Sequence, residues 1–166
     1  MKLKLCDAKS LDIVKTFECG QCFRWNANDK GVYTGVVGRY LAEVETVNNE
    51  VYITSDAPSE MWADYFDLAT DYAAVSADFT GEYLHECIDY GMGIRILRQD
   101  SWEALCSFII SQCNNITRIK GIVERLCEQF GDKCEANGVG YYTFPSAERL
   151  AALRPSNLAG IRAGYR

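Results

Sequence analysis

The hydrophobic residues of this chain change their spacing near residue 58, and this change limits the folds that the chain can adopt. Between residues 2 and 55, apolar side chains occur in short alternating runs, which is the spacing of half-buried β-strands. The runs are Leu3 to Leu5, Cys22 to Trp25, Val32 to Val37, Leu41 to Val47 and Val51 to Ile53. Turn-forming residues separate them at 26–31 and 48–50, where hairpins need tight reversals. The first third of the sequence therefore predicts an antiparallel sheet.

After Pro58 the apolar residues follow helical spacing. Aromatic side chains recur between Trp62 and Tyr90, and we expect them to pack short helices against the sheet. Capping serines after Pro145 and Pro155 predict further small helices in the last part of the chain. A sheet followed by helices places the chain in the α+β class.

The segment from Asp100 to Gly131 has the pattern of two helices joined by a polar elbow. Asp100 followed by Glu103 is typical of a helix start, and an apolar run continues to Ile110. Polar residues at 111–115 interrupt this run, and a second helical pattern then continues to Gly131. We therefore expect a helix, an elbow and a helix.

Charge is divided unevenly along the chain. The net charge of −6 by itself disfavours a polyanionic partner, because phosphate binding depends on Lys and Arg. Residues 1–92 carry 7 basic and 16 acidic side chains, whereas residues 93–166 carry 10 basic and 7 acidic ones. Any contact with nucleic acid is therefore expected in the second part.

The composition excludes several other classes of protein. With 48% hydrophobic and 24% charged residues, the chain is neither disordered nor fibrous. It has no apolar run of the roughly 18 residues that a membrane span needs, and its first residues do not resemble a secretory signal. Its 8 cysteines are scattered, so we expect reduced thiols and a cytoplasmic location.

Two stretches in the second part contain candidate contact residues. Residues 93–100 and 107–118 combine arginines and asparagines, the side chains that bond to phosphates and to base edges. Asn114 and Asn115 could instead simply cap the second helix, and on spacing alone this structural interpretation is favoured.

Cysteine spacing gives only weak support for a metal site. Cys19 and Cys22 have the spacing of half a zinc site, but no second pair follows and His85 is the only histidine. A group of aspartates is more simply explained as a solvated helix face. This group comprises Asp64, Asp67 and Asp71. We predict no metal and no cofactor.

Three motifs occur in the same order as in a known family. The first is GQCFRW at 20–25, the second is the set GIRILRQD, FIISQCNNITRI and VERLC between residues 93 and 127, and the third is AGYR at 163–166. Together they resemble the 8-oxoguanine DNA glycosylases, whose first motif is Gly-Gln-Ser-Phe-Arg-Trp and whose third contains Gly-Tyr-Arg. The resemblance covers nearly the whole chain.

The resemblance implies both a fold and an activity. Residues 1–92 would form an antiparallel β domain like that of the TATA-binding protein, and residues 93–166 would begin a helical domain of the helix-hairpin-helix superfamily. The family excises 8-oxoguanine paired with cytosine after extruding the base from double-stranded DNA, which is a step of base-excision repair. The implied partner is therefore duplex DNA containing 8-oxoguanine, with no obligatory protein partner.

The resemblance also assigns roles to individual residues. Gly20 matches the glycine whose carbonyl accepts a hydrogen bond from N7–H of the oxidised base, where guanine has only an acceptor. Asn114, Asn115 and Arg118 match residues that fill the gap left by the extruded base and contact the estranged cytosine. Cys113 stands where the family has another asparagine, and a thiol is a weak donor and a poor acceptor.

Two assigned residues lie in the third motif. Tyr165 matches an aromatic wedge that inserts beside the estranged base and bends the duplex. Arg166 matches an arginine that contributes to the recognition of cytosine.

The catalytic residues implied by the resemblance have no match in this chain. The family's nucleophile is a lysine that forms a Schiff base, and an aspartate farther along assists it. We assign no catalytic role to Lys15, Lys120 or Lys133, which we expect to be solvated. We therefore expect this chain alone to be inactive. Two alternatives remain open: a non-catalytic module that binds DNA, and an alkylated-base DNA glycosylase, which shares the layout but does not require the first motif.

Overall fold

A five-stranded antiparallel sheet forms the centre of the first half of the computed structural model, which describes residues 1–79 and 81–164. Its strands are β1 (Lys2–Asp7), β2 (Trp25–Ala27), β3 (Tyr33–Val37), β4 (Tyr40–Val47) and β5 (Glu50–Ser55). Their order across the sheet is β1-β5-β4-β3-β2. Alternate side chains such as Val44, Val51 and Ile53 are fully buried, as the spacing of two requires. The predicted antiparallel sheet is confirmed.

Two helices, α1 (Ile13–Glu18) and α2 (Ser59–Tyr65), pack against the sheet around Trp25. The indole stacks on Phe17 with 4.4 Å between ring centroids, and its Nε1 donates a hydrogen bond of 2.9 Å to the Tyr65 hydroxyl. Gly35 on β3 leaves room for this ring, since a Cβ there would lie 2.4 Å from it. The first core therefore requires a residue without a side chain at position 35.

The aromatic residues after Pro58 divide into two groups. Trp62, Tyr65 and Phe66 are buried in the first core, as predicted. Two further helices follow, α3 (Tyr72–Ala77) and α4 (Glu82–Gly91). The aromatics of this region, Phe79, Tyr83 and Tyr90, are 50–85% exposed. The prediction that they join helices to the sheet is wrong for these three residues, because they lie outside the first core and face solvent.

The second half contains the predicted helix, elbow and helix. The two helices are α5 (Ser101–Ser111) and α6 (Ile116–Phe130). The carboxylate of Asp100 accepts hydrogen bonds from the backbone amides of Trp102 and Glu103, which confirms the predicted helix start. Gly131 is the residue at which α6 ends.

A small hairpin and two short helices complete the second half. The hairpin pairs β6 (Lys133–Ala136) with β7 (Val139–Tyr142), and the sequence analysis did not predict it. Its signal is the Asn137-Gly138 pair, whose φ angles of +52° and +77° suit a two-residue hairpin turn. The predicted small helices are α7 (Ala147–Ala151) and a 3₁₀ helix at Pro155–Ile161.

Helix α5 exposes much of its apolar surface. It is apolar on nearly all sides, yet Ser107 and Ile110 are its buried residues. Leu105, Phe108 and Ile109 are 45–64% exposed. Helices of this composition are normally covered on most sides, so α5 offers a surface of the kind that proteins bury. Within the described residues, none of the helices has the length and apolar character needed to cross a membrane.

Each half contributes a side chain to the hydrophobic core of the other. Phe23 packs in the second core with Ile110, Ile119 and Ile161, whereas Leu97 packs in the first core. The domain boundary at residue 92 stays a prediction, but side chains cross it in both directions. The two halves are therefore interlocked rather than merely adjacent.

Charged groups lie at the junction between the two cores. Arg24 is 5% exposed, and its Nη2 donates a hydrogen bond of 2.5 Å to the Tyr142 carbonyl, while its Nε and Nη1 have no partner among the described residues. Burial raises the pKa of the Glu103 carboxyl to about 7, against the opposing effect of Arg24. The junction therefore contains a carboxyl group that titrates near neutral pH.

Replacing Gly35 by Ala should destabilise the fold. The new Cβ would overlap the Trp25 ring, which has no free space into which to move, and we expect a loss of about 1–3 kcal/mol in the free energy of unfolding. Urea unfolding measures this loss. Gly91→Ala is the matched control, because a Cβ there meets no atom within 4 Å. Equal effects of the two substitutions would contradict the packing described for Trp25.

Replacing Glu103 by Gln should change how stability depends on pH. Because the folded-state pKa lies above the ordinary value of 4.5, the folded state holds the proton more tightly, and stability falls as the pH rises from about 4.5 to about 7. Near pH 8 the Gln variant should exceed the wild type by about 1–3 kcal/mol, and near pH 4 the two should be similar. Urea unfolding at both pH values tests this, with the exposed Glu124→Gln as control. Parallel profiles for wild type and Glu103→Gln would disprove it.

Candidate nucleic-acid interface

A loop of residues 19–24 joins α1 to β2 and carries Gly20 on its surface. Gly20 has a φ of +90°, in the left-handed region that favours glycine. A Cβ at this position would meet no atom within 4 Å. The need for glycine within this chain therefore comes from the backbone conformation and not from crowding. The loop is open to an approaching ligand.

The side chain of Gln21 fixes this loop to the segment that precedes α5. Its Nε2 donates hydrogen bonds of 2.8 Å to the Arg95 carbonyl and 3.0 Å to the Thr16 carbonyl, and its Oε1 accepts one of 2.9 Å from the Leu97 amide. Gln99 in turn donates to the Gln21 carbonyl at 2.7 Å. Gln21 thus pairs with the extended segment much as a neighbouring strand would.

The rest of the first motif is structural. Cys22 and Trp25 enter the first core, and Phe23 enters the second. Burial raises the pKa of the Cys22 thiol to about 12, which disfavours the thiolate that a metal ligand requires. Within the described part of the chain, His, Cys, Asp and Glu form no group of three that could hold a metal ion.

The arginines before α5 are occupied by the fold. Arg95 is 6% exposed, and it donates hydrogen bonds to the carbonyls of Ser10 at 2.7 Å and Asp67 at 2.5 Å. Arg98 makes two hydrogen bonds, of 2.8 and 3.0 Å, to one carboxylate oxygen of Asp67. The expectation that both arginines reach phosphates is wrong for Arg95, because the turn after α2 needs donors for its carbonyls.

The aspartates are likewise not one solvated face. Asp67 is 9% exposed, and hydrogen bonds from Arg98, Thr70 and Tyr72 hold the pKa of its carboxyl below the usual range. Asp71 caps α3 by accepting hydrogen bonds from two backbone amides. The solvated interpretation therefore fails for Asp67, while Asp64, whose side chain is 71% exposed, and Asp71 are exposed to solvent.

The amides of the elbow between α5 and α6 make structural hydrogen bonds. Asn115 caps α6, since its Oδ1 accepts a hydrogen bond of 2.9 Å from the Arg118 amide. The Nδ2 of Asn114 donates a 2.7 Å bond to the Ile110 carbonyl near the end of α5. The capping of the second helix is thus confirmed for Asn115 alone, whereas Asn114 bonds to the end of the first helix. Together the two bonds fix the direction in which α6 leaves the elbow.

Cys113 occupies a strained position in this elbow. Its φ of +57° lies in the left-handed region, where asparagine is tolerated better than most residues because its short amide bonds to nearby backbone. The thiol is exposed. The position therefore favours asparagine on conformational grounds, independently of any contact with DNA.

Exposed arginines surround the start of α6. Arg118 is exposed, and its Nη2 lies 3.5 Å from the Arg162 carbonyl. Arg162 is also exposed and has a φ of +61° after the 3₁₀ helix. The sequence analysis missed Arg162, since nothing in its local pattern shows that it folds back to α6. The guanidinium of Arg118 thus lies beside the backbone of Arg162, and both residues are exposed.

Lys120 bonds α6 to the Gly20 loop. Its Nζ donates hydrogen bonds of 2.9 Å to a Glu18 carboxylate oxygen and 2.8 Å to the Trp25 carbonyl. Only 17% of its side chain is exposed, so the prediction that this lysine is solvated is wrong. The structure thereby brings together the elements that carry Gly20 and Arg118. Two further predicted contact residues, Tyr165 and Arg166, lie outside the described residues.

Comparison with known proteins identifies the family. The family model described as the N-terminal domain of 8-oxoguanine DNA glycosylase matches residues 4–105. The chain is 28% identical over 166 residues to the N-glycosylase/DNA lyase OGG1 of Arabidopsis thaliana, covering 94% of this chain and 46% of that relative. It is 30% identical over 142 residues to a DNA-3-methyladenine glycosylase of Bacillus subtilis, covering 75% and 46% respectively.

A solved structure extends this similarity to the whole fold. The Clostridium acetobutylicum 8-oxoguanine glycosylase/lyase, in complex with double-stranded DNA containing cytosine opposite 8-oxoG, superposes with a TM-score of 0.88 at 34% identity. The match covers 99% of this chain and 60% of that one, and the chain spans about half the length of the curated relatives above. On its sequence and its fold, the chain belongs to the 8-oxoguanine DNA glycosylase family.

Proposed function

We propose that this chain is the recognition part of a repair glycosylase that removes 8-oxoguanine from opposite cytosine in duplex DNA. The observation that carries the proposal is the placement of the open Gly20 loop and the exposed Arg118 on elements that Lys120 bonds together. A lesion and its opposite base lie on the two strands of one base pair, so a protein that senses both needs two such groups in a fixed relation. The DNA complex of the Clostridium relative supports the same partner.

Gly20 is the proposed sensor of the oxidised base. Oxidised guanine carries a hydrogen on N7, whereas guanine has a lone pair there. A carbonyl oxygen at Gly20 would accept a hydrogen bond from the lesion and face a second acceptor in the undamaged base. A buried mismatch of this kind costs about 1–3 kcal/mol. The base must leave the stack to reach such a site.

The surface around α6 is the proposed contact for the other strand. Arg118 would bond to the estranged cytosine, and Asn114 and Asn115 would hold the elbow in the shape that presents it. Tyr165 and Arg166 are proposed as the wedge and a second cytosine contact. Arg162 adds a positive charge for the phosphates, consistent with the excess of basic residues after residue 92.

Cleavage of the glycosidic bond is assigned to residues without a match in this chain. The family's reaction uses a lysine amine that attacks the sugar and forms a Schiff base. None of the lysines here lies in the pattern of that nucleophile. We infer that this chain binds damaged DNA without cutting it.

An alkylated-base glycosylase remains the second candidate, because the Bacillus subtilis relative is described as a 3-methyladenine glycosylase. The first motif argues for the oxidised base instead. This motif supplies the open Gly20 loop and the hydrogen bonds of Gln21 that fix the loop in place. An aromatic pocket for cationic bases would require neither of them.

The chain should bind a duplex containing 8-oxoguanine opposite cytosine more tightly than the undamaged duplex, by about fivefold to a hundredfold. Gly20→Ala should remove most of this preference, because a side chain at that position obstructs the approach of the base. Fluorescence anisotropy with labelled duplexes measures both affinities. A third duplex carrying an alkylated purine tests the second candidate, which a preference for that duplex would support.

Gly38→Ala provides the control for this experiment. Gly38 lies in the turn between β3 and β4, has a φ of +57°, and would place a Cβ in open space, so the substitution introduces comparable backbone strain away from the loop. An equal loss of preference in both variants would argue against a sensor at Gly20. Borohydride treatment of the same mixtures should trap no covalent complex, and trapping by this chain would refute the assignment of cleavage to other residues.

Replacing Cys113 by Asn should improve both stability and recognition. Asparagine adopts the left-handed conformation more readily, so we expect a gain of about 0.5–1 kcal/mol in the free energy of unfolding. Its amide should also increase the preference for cytosine over adenine opposite the lesion. Urea unfolding and anisotropy measure the two effects. Cys87→Asn, at an exposed position within α4, should give neither gain.

A further inference from the structure

Lys120 has an unusual position for a lysine on a surface helix. Its side chain is 17% exposed, whereas the side chain of its ion-pair partner Glu18 is 39% exposed. The ammonium group bonds both to Glu18, the last residue of α1, and to the carbonyl of Trp25, the first residue of β2. These two residues stand at the two ends of the segment that contains Gly20. A single side chain of α6 therefore holds both ends of the loop.

Helix geometry directs Lys120 and Arg118 to different sides. Residues two apart on a helix do not face each other, and here Arg118 is exposed while Lys120 is turned toward the loop. The helix is rigid between them, because Asn115 caps its start and Ile119 is buried in the second core. The distance between the Gly20 loop and Arg118 is thus set by about half a turn of helix and by the two bonds of Lys120.

We propose that Lys120 is a positioning residue that fixes the Gly20 loop relative to Arg118 and thereby determines how well the protein distinguishes 8-oxoguanine from guanine. The inference rests on the proposed function. Gln21 already fixes the middle of the loop to the segment before α5, and Phe23 packs in the second core with Ile119 of α6. Lys120 adds the hydrogen bonds through which α6 holds the two ends of the loop. Discrimination by one hydrogen atom on N7 requires a carbonyl held to within a fraction of a hydrogen-bond length.

Two substitutions that remove opposite charges test this proposal. Lys120→Met removes a positive charge and should weaken binding to all DNA, whereas Glu18→Gln removes a negative charge and should strengthen it slightly. Both break the same ion pair. The proposal therefore expects affinity for undamaged DNA to move in opposite directions, while the ratio of affinities for 8-oxoguanine and guanine duplexes falls in both, by about threefold to tenfold.

Conservative and distant variants serve as controls. Lys120→Arg keeps a positive group with several N–H donors, so it should retain more than half of the wild-type ratio of affinities for 8-oxoguanine and guanine duplexes. Lys30→Met removes an exposed lysine from the turn between β2 and β3 and should lower affinity without changing the ratio. A ratio of affinities that stays at the wild-type value in both Lys120→Met and Glu18→Gln overturns the proposal. So does a ratio that falls in Lys120→Met, where affinity also falls, but not in Glu18→Gln, where affinity rises.

Hydrogen exchange separates the failure of this proposal from the failure of the proposed function. A wild-type chain that binds both duplexes equally overturns the proposed function. In that case the contact itself is still tested, because the amides of residues 19–24 should exchange several times faster in Lys120→Met than in Lys30→Met. Equal exchange in these two variants would show that Lys120 does not order the loop, and it would overturn the inference on its own.

Discussion

The stacking of Trp25 on Phe17 is the contact on which the rest of the structure depends, because it anchors a motif that both cores share. Cys22 and Trp25 enter the first core and Phe23 enters the second, so three neighbouring side chains are buried in two directions. Burial of large aromatic side chains supplies much of the stability of a small domain. Residues 19–21, which include Gly20, directly precede these buried side chains. They gain a fixed position without belonging to a helix or strand. A short exposed loop can be precise because the residues after it are immobile.

Much of the fold could be predicted from the sequence, since its local signals agree with its tertiary structure. The alternation in β4 and β5 and the Asp100 cap of α5 each carry enough local information to define an element. The exposed aromatics Phe79, Tyr83 and Tyr90 lie in the same helical region of the sequence as the buried Trp62, Tyr65 and Phe66. Spacing shows which residues share a face, but it does not show whether another element already occupies the space beside that face.

The candidate site was predictable at the level of motifs and much less so at the level of contacts. The motifs located the Gly20 loop and the elbow, and both lie on the surface of elements that are bonded to each other. Lys120 and Arg162 had no local signal, because their positions follow from how α6, the loop and the 3₁₀ helix meet. For Arg95 the local signal was misleading. Its residue type suggested phosphate binding, whereas its guanidinium donates hydrogen bonds to backbone carbonyls that are far away in sequence. Hydrogen-bond demand of this kind exists only in the folded molecule.

The exchange of Phe23 and Leu97 between the cores also affects the order in which the protein can assemble during synthesis. Phe23 leaves the ribosome early, but Ile119 and Ile161, which cover it, are translated much later. Until then the nascent sheet carries an uncovered aromatic residue and lacks Leu97 in its own interior. Exposed apolar surface of this type makes partly synthesised chains prone to association. The exchange of side chains between the two cores therefore lengthens the period in which the nascent chain carries exposed apolar surface.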